Sequence, residues 1–132
     1  MLRPGSNLVI PLALALLPAC GVVRERNEVS LAGSKITFDL SRLNSDGLQG
    51  PPDGLRALHY EFCIPGDSTL ADEVQQIDST LEVFKGPRGR VQCSEDEFLC
   101  LGNTHQPGFR SVLLRLAELR YIRRIEESFF EN

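Results

Sequence analysis

Two stretches of the chain alternate polar and apolar residues strictly enough to predict half-buried strands. The first is Lys35-Ile36-Thr37-Phe38-Asp39-Leu40, and the second is Ala57-Leu58-His59-Tyr60-Glu61-Phe62-Cys63-Ile64. In the second, Leu58, Tyr60, Phe62 and Ile64 are expected on the core face, with His59, Glu61 and Cys63 on the opposite one. Residues 44–54, dense in Asn, Asp, Gly and Pro, separate the two as a loop. Ser68 to Ile77 changes period: Leu70, Val74 and Ile77 form a helical stripe, Ser68 or Thr69 can cap it, and Asp72 and Glu73 suit its first turns. Leu81–Phe84 is extended, and Gly86-Pro87-Arg88-Gly89-Arg90 is a tight turn. Val91–Cys93 is expected to continue as strand, Ser94–Asp96 to turn, and Glu97–Gly102 to return. The loop Asn103–Gly108 leads into a second helix, with Phe109, Val112, Leu113, Leu116 and Leu119 on one face.

Residues 121–130 fit neither period cleanly. They can extend the second helix through Ile122, Ile125 and Phe129, or close the sheet as a strand, and the strand completes a known pattern. The order strand, helix, strand, strand, helix, strand predicts an α+β fold: a ferredoxin-like split βαβ sandwich preceded by one extra N-terminal strand.

Length allows one domain. The formal charge of −4 argues against the non-specific nucleic-acid binding that depends on a basic stripe, so no nucleic-acid partner is expected. Arg outnumbers Lys twelve to two.

The first residues change the picture more. Met1 to Asn7 carries Arg3, and residues 8–19 are an uncharged apolar run of twelve, too short for a bilayer and the right length for the hydrophobic part of a signal peptide. Leu17-Pro18-Ala19-Cys20 resembles the lipobox of bacterial lipoproteins, with an apolar residue at −3, a small one at −1 and then cysteine. The resemblance covers residues 1–21. It implies removal of residues 1–19, acylation of Cys20, a tether over 20–33 and a single domain over 34–132. Gly21, where aspartate would signal inner-membrane retention, points to the outer membrane facing the periplasm. The membrane is then a partner through the lipid anchor.

Cys63, Cys93 and Cys100 remain in a compartment that permits disulfides. If the strands at Cys63 and Cys100 are neighbours and both cysteines face away from the helices, Cys63–Cys100 is the expected bridge. Cys93 is then a small buried hydrophobe. A metal site from the three cysteines and a histidine is disfavoured by the Cys-x6-Cys spacing, and neither metal nor cofactor is expected. Arg88 and Arg90 on a glycine-rich turn, with Asn103 and His105 ahead of a helix start, are the candidate ligand-binding groups for a carboxylate or phosphate. The functional expectation is a non-catalytic envelope module that binds a partner protein or cell-wall ligand. The alternative is a small periplasmic enzyme, hydrolytic or thiol-based, using His105 with Arg88 or Arg90, or using Cys93.

Overall fold

The computed structural model describes Gly5 and residues 31–129. The leader, Cys20, most of the tether and Phe130 lie outside the described residues.

The longest alternating stretch forms strand β3 (His59–Pro65), after a two-residue hairpin of β1 (Leu48–Gln49) and β2 (Arg56–Ala57). Helix α1 (Ser68–Ile77) follows, with the expected bounds but a different cap. Asp67 takes that role, its carboxylate accepting the Thr69 N–H at 2.8 Å. Strands β4 (Glu82–Lys85) and β5 (Glu97–Asn103), helix α2 (Phe109–Ala117) and strand β6 (Glu126–Glu127) complete the chain. The tail closes the sheet as a strand, though only two residues of it enter the ladder.

The sheet order is β4-β5-β3-β6, with every pair antiparallel. The fold is α+β, and two β-α-β units interleave in the order expected for a split βαβ sandwich. The extra N-terminal strand narrows to one residue. Ile36 makes a parallel bridge to Ile125, and the chain then enters a 3-10 turn at Leu40–Arg42, capped by the Asp39 carboxylate. Val91–Cys93 is loop and not strand, and Gln92 has a positive φ of 60°.

The core lies between sheet and helices. Tyr60, Phe62 and Ile64 of β3 are fully buried against Val74 of α1 and against Phe109, Leu113, Leu116 and Ala117 of α2, with Ile122 and Ile125 closing the end. Each of the large aliphatic and Phe side chains here contributes about 1.5–3 kcal/mol through burial, so the two helix stripes account for both helices docking on one face. No helix among the described residues is long and apolar enough to cross a membrane.

One polar cluster interrupts this core. Asp78, at the C-terminal end of α1 and fully buried, accepts from the Tyr60 hydroxyl, the Thr80 hydroxyl (2.6 Å), the Thr80 N–H (2.9 Å) and the Gln106 amide (2.9 Å). Burial first, then the Asp78 charge, pushes the Tyr60 phenol far above its ordinary range. That proton stays on Tyr60, which makes the cluster a fixed strut between α1, β3 and the β5–α2 loop.

Candidate functional site

Antiparallel register decides what faces the helices. Phe62 lies opposite Cys100 and Cys63 opposite Leu99, so even-numbered residues of both strands point to the helices and odd-numbered ones away. Cys63 and Cys100 therefore stand on opposite faces, and the expected Cys63–Cys100 bridge is replaced by Cys63–Cys93, with Cα atoms 5.5 Å apart. Among the described residues, Cys100 is the free thiol, and it is buried. Both cysteines facing away from the helices was the condition for that bridge, and the register puts Cys100 on the helix face with Leu99 and Leu101 on the other. Those two leucines face a second apolar layer, made with Cys63, Val91, Cys93 and Phe84.

That layer exists because the β4–β5 connection folds back over the sheet. Gly89 (φ 66°) lies directly on the strands, where a Cβ would come within 2.7 Å of the Leu99 side chain and 3.1 Å of a Glu61 carboxylate oxygen. Val91 inserts beneath, its N–H donating to Glu61 Oε1 at 2.7 Å and its carbonyl accepting from Arg124 Nη2 at 2.8 Å. Glu61 is only 3% exposed, and its other carboxylate oxygen accepts the Ser128 hydroxyl at 3.1 Å. A carboxylate this deep is tolerated because both of its oxygens are engaged. The Cys63–Cys93 bond then ties down the end of the loop.

Between this loop and the C-terminal segment runs a cleft in two parts that share Gln92. One is a cavity of about 340 Å³ lined by Cys63, Val91, Gln92, Arg123 and Arg124. The other, about 550 Å³, is lined by Thr37, Gly89, Arg90, Gln92, Glu126, Glu127 and Phe129. Arg124 Nε lies 3.1 Å from Glu126, and Arg123 reaches both carboxylate oxygens of Glu97 at 3.3 Å. The Arg90 guanidinium stacks 4.8 Å from the Phe129 ring centroid. In the two ion pairs the arginines are exposed and the carboxylates half-buried, and each arginine keeps guanidinium donors that its glutamate does not use.

Of the candidate ligand-binding residues read from the sequence, Arg90 alone lines this cleft. Arg88 is exposed, 3.8 Å from Glu95. Asn103 uses its side-chain oxygen on the His105 N–H at 3.0 Å, and His105 itself is exposed. The two loops do not converge. The Gly86–Arg90 turn leaves the sheet beside Lys85↔Phe98, whereas Asn103 lies opposite His59 at the other end of β5. Phe98 and Asn103 are five residue steps apart along the strand, about 17 Å. Gln106, from the second loop, is turned inward to Asp78, and Thr104 is fully buried, accepting the Leu58 N–H and donating to Gly47 O. Neither Asn103 nor Thr104 caps α2, whose N-cap is Gly108. Glu61, Gln92, Arg123 and Arg124 were not singled out in the sequence. Only the loop's return across the sheet makes the Arg123-Arg124 doublet one wall of a cleft.

Among the described residues, no group of three His, Cys, Asp or Glu side chains is placed to hold one metal ion. Fold and site together define an α+β sandwich with a disulfide-latched loop over its second face and an arginine-lined cleft beside it. No family model, no curated protein and no solved structure matches the chain.

Proposed function

We propose that the chain is a small lipoprotein of the bacterial envelope, tethered by acyl chains on Cys20 to the outer membrane and facing the periplasm. Its domain acts as a non-catalytic binding or structural module. Ligand or partner contact falls on the cleft between the latched loop and the Arg123–Phe129 segment, where Arg90, Gln92, Arg123 and Arg124 offer donors to a partner protein or cell-wall component. The observation that carries this reading is the Cys63–Cys93 bond, since structural disulfides persist in oxidising, exported compartments. It agrees with the independent resemblance of residues 1–21 to a lipoprotein leader. The enzyme alternative needs His105 beside Arg88 or Arg90, although their two loops leave opposite ends of β5, or a reactive Cys93, which is buried and bonded.

The test is the intact mass of native protein purified from membranes, with thiols alkylated under denaturing conditions before and after reduction. The expected species begins at acylated Cys20 and carries one alkylatable thiol before reduction, Cys100, and three after. An unacylated chain overturns the anchor. Three thiols without reduction overturn export to an oxidising compartment.

A further inference from the structure

The two sulfurs of the latch are not equivalent. Cys93 is 1% exposed, whereas Cys63 is 7% exposed and lines the smaller cavity. That cavity opens where β6 stops. Pairing with β3 ends at Glu61↔Glu126, and continuing the register would set Arg124 opposite Cys63, but Arg124 has already left the ladder. The gap leaves Cys63, though largely buried, as one wall of the cavity, with Arg123 and Arg124 beside it. Its volume, about 340 Å³, is at the lower end of small-ligand sites. Thiolates are the nucleophiles of disulfide exchange, and neighbouring guanidinium groups attract and stabilise them.

We propose that Cys63 is a thiol-exchange site for a small anionic thiol, a cysteinyl peptide with free carboxylates. The carboxylates dock on Arg123 and Arg124, and the thiolate attacks Cys63 Sγ. A new S–S bond forms to Cys63 as the Cys63–Cys93 bond breaks. The electron pair leaves on Cys93, which takes a proton from water. The incoming thiol is oxidised to the mixed disulfide and Cys93 is reduced, so no further oxidant is consumed. In the oxidised protein Cys93 Sγ lies 3.8 Å from the Phe98 carbonyl, an oxygen that can accept from the S–H that exchange creates. Cys100, on the other face of the sheet, cannot intercept either partner. Exchange leaves the loop held at Val91 by Glu61 and Arg124, with its Cys93 end released.

The experiment exposes the oxidised full chain at low salt to glutathione, which is anionic, and to cysteamine, which is cationic, at matched thiolate concentration. Early samples are quenched in acid, alkylated and mapped by peptide mass. The expected product carries glutathione on Cys63 and alkylated Cys93, and glutathione outpaces cysteamine. Replacing both arginines (Arg123→Gln, Arg124→Gln) slows the glutathione reaction roughly tenfold, the lower end of electrostatic steering. The charge-preserving pair Arg123→Lys, Arg124→Lys keeps the rate, which separates lost charge from lost fold. An inert disulfide, an adduct on Cys93, equal rates for the two thiols, or an unchanged rate in the glutamine pair overturns the proposal.

Discussion

Replacing Cys63 and Cys93 together with alanine removes the latch while keeping the apolar character of the layer beneath it. The bond spans a sequence separation of 30. Closing a loop of that length in the unfolded chain costs about 12 cal/mol/K of entropy, so the cross-link stabilises the fold by about 3.6 kcal/mol at 25 °C. A domain of roughly 100 residues unfolds with about 0.2 kcal/mol/K of entropy, which converts that loss into a fall in Tm of roughly 17 °C. The loop's remaining ties are the buried Val91 side chain and the hydrogen bonds of Val91 to Glu61 and Arg124. They are local and weaker, so the loop should also open more often than the sheet beneath it. Differential scanning calorimetry of the double variant against the oxidised parent measures the first effect. Limited trypsin digestion after Arg88 and Arg90 measures the second. A Tm within about 5 °C of the parent, with no gain in cleavage at those two sites, refutes the view that the disulfide holds the loop.

Other perturbations probe the remaining polar anchors. Asp78→Ala strips the acceptor from the Tyr60 and Thr80 hydroxyls, the Thr80 N–H and the Gln106 amide, and urea denaturation should show a loss of about 3 kcal/mol or more. Glu61→Leu leaves the buried Val91 N–H without its acceptor and should cost about 1–3 kcal/mol, with faster amide exchange at Val91. Glu61→Gln, which keeps an acceptor, should fall near the parent in the same measurement. Burial first, then the Asp78 charge, pushes the Cys100 thiol from its ordinary 9.0 up to about 12. The folded state therefore holds this proton where the unfolded chain has lost it. The associated stability is complete below about pH 9 and disappears as pH rises from 9 toward 12. Cys100→Ala should flatten that part of a stability-against-pH curve. Native alkylation of Cys100 should stay slow wherever the protein is folded.

Elements with a strong single-face pattern were legible in the sequence. Leu70, Val74 and Ile77, and the stripe from Phe109 to Leu119, predict helices that the structure has, because a helix buries one stripe whatever it packs against. The face of Tyr60, Phe62 and Ile64 was legible for the same reason. Alternation is weaker evidence when both sides of a strand are covered. β3 is buried on both faces from Tyr60 to Ile64, so Glu61 and Cys63 look like solvent-facing positions although both are buried. The same ambiguity put Cys100 on the wrong face and so misassigned the disulfide.

The candidate site was less legible still. Arg88 and Arg90 share a turn, yet one reaches toward Glu95 and the other stacks on Phe129, because Gly89 presses the loop onto Leu99 between them. Asn103, Thr104 and Gln106 look like displayed polar groups, yet the backbone turn and the Asp78 cluster use them internally.

Local chemistry alone determined the helices, the main strand with its core face, the turn positions and the resemblance of residues 1–21 to a lipoprotein leader, since each depends on residues close together in the chain. Only the tertiary structure decided which cysteines pair, that the second sheet face is covered, and that Arg90, Gln92, Arg123 and Arg124 line one cleft. Those outcomes depend on a one-residue register between β3 and β5 and on a loop folding back across the sheet. Shifting that register by one residue would exchange every side chain between the two faces.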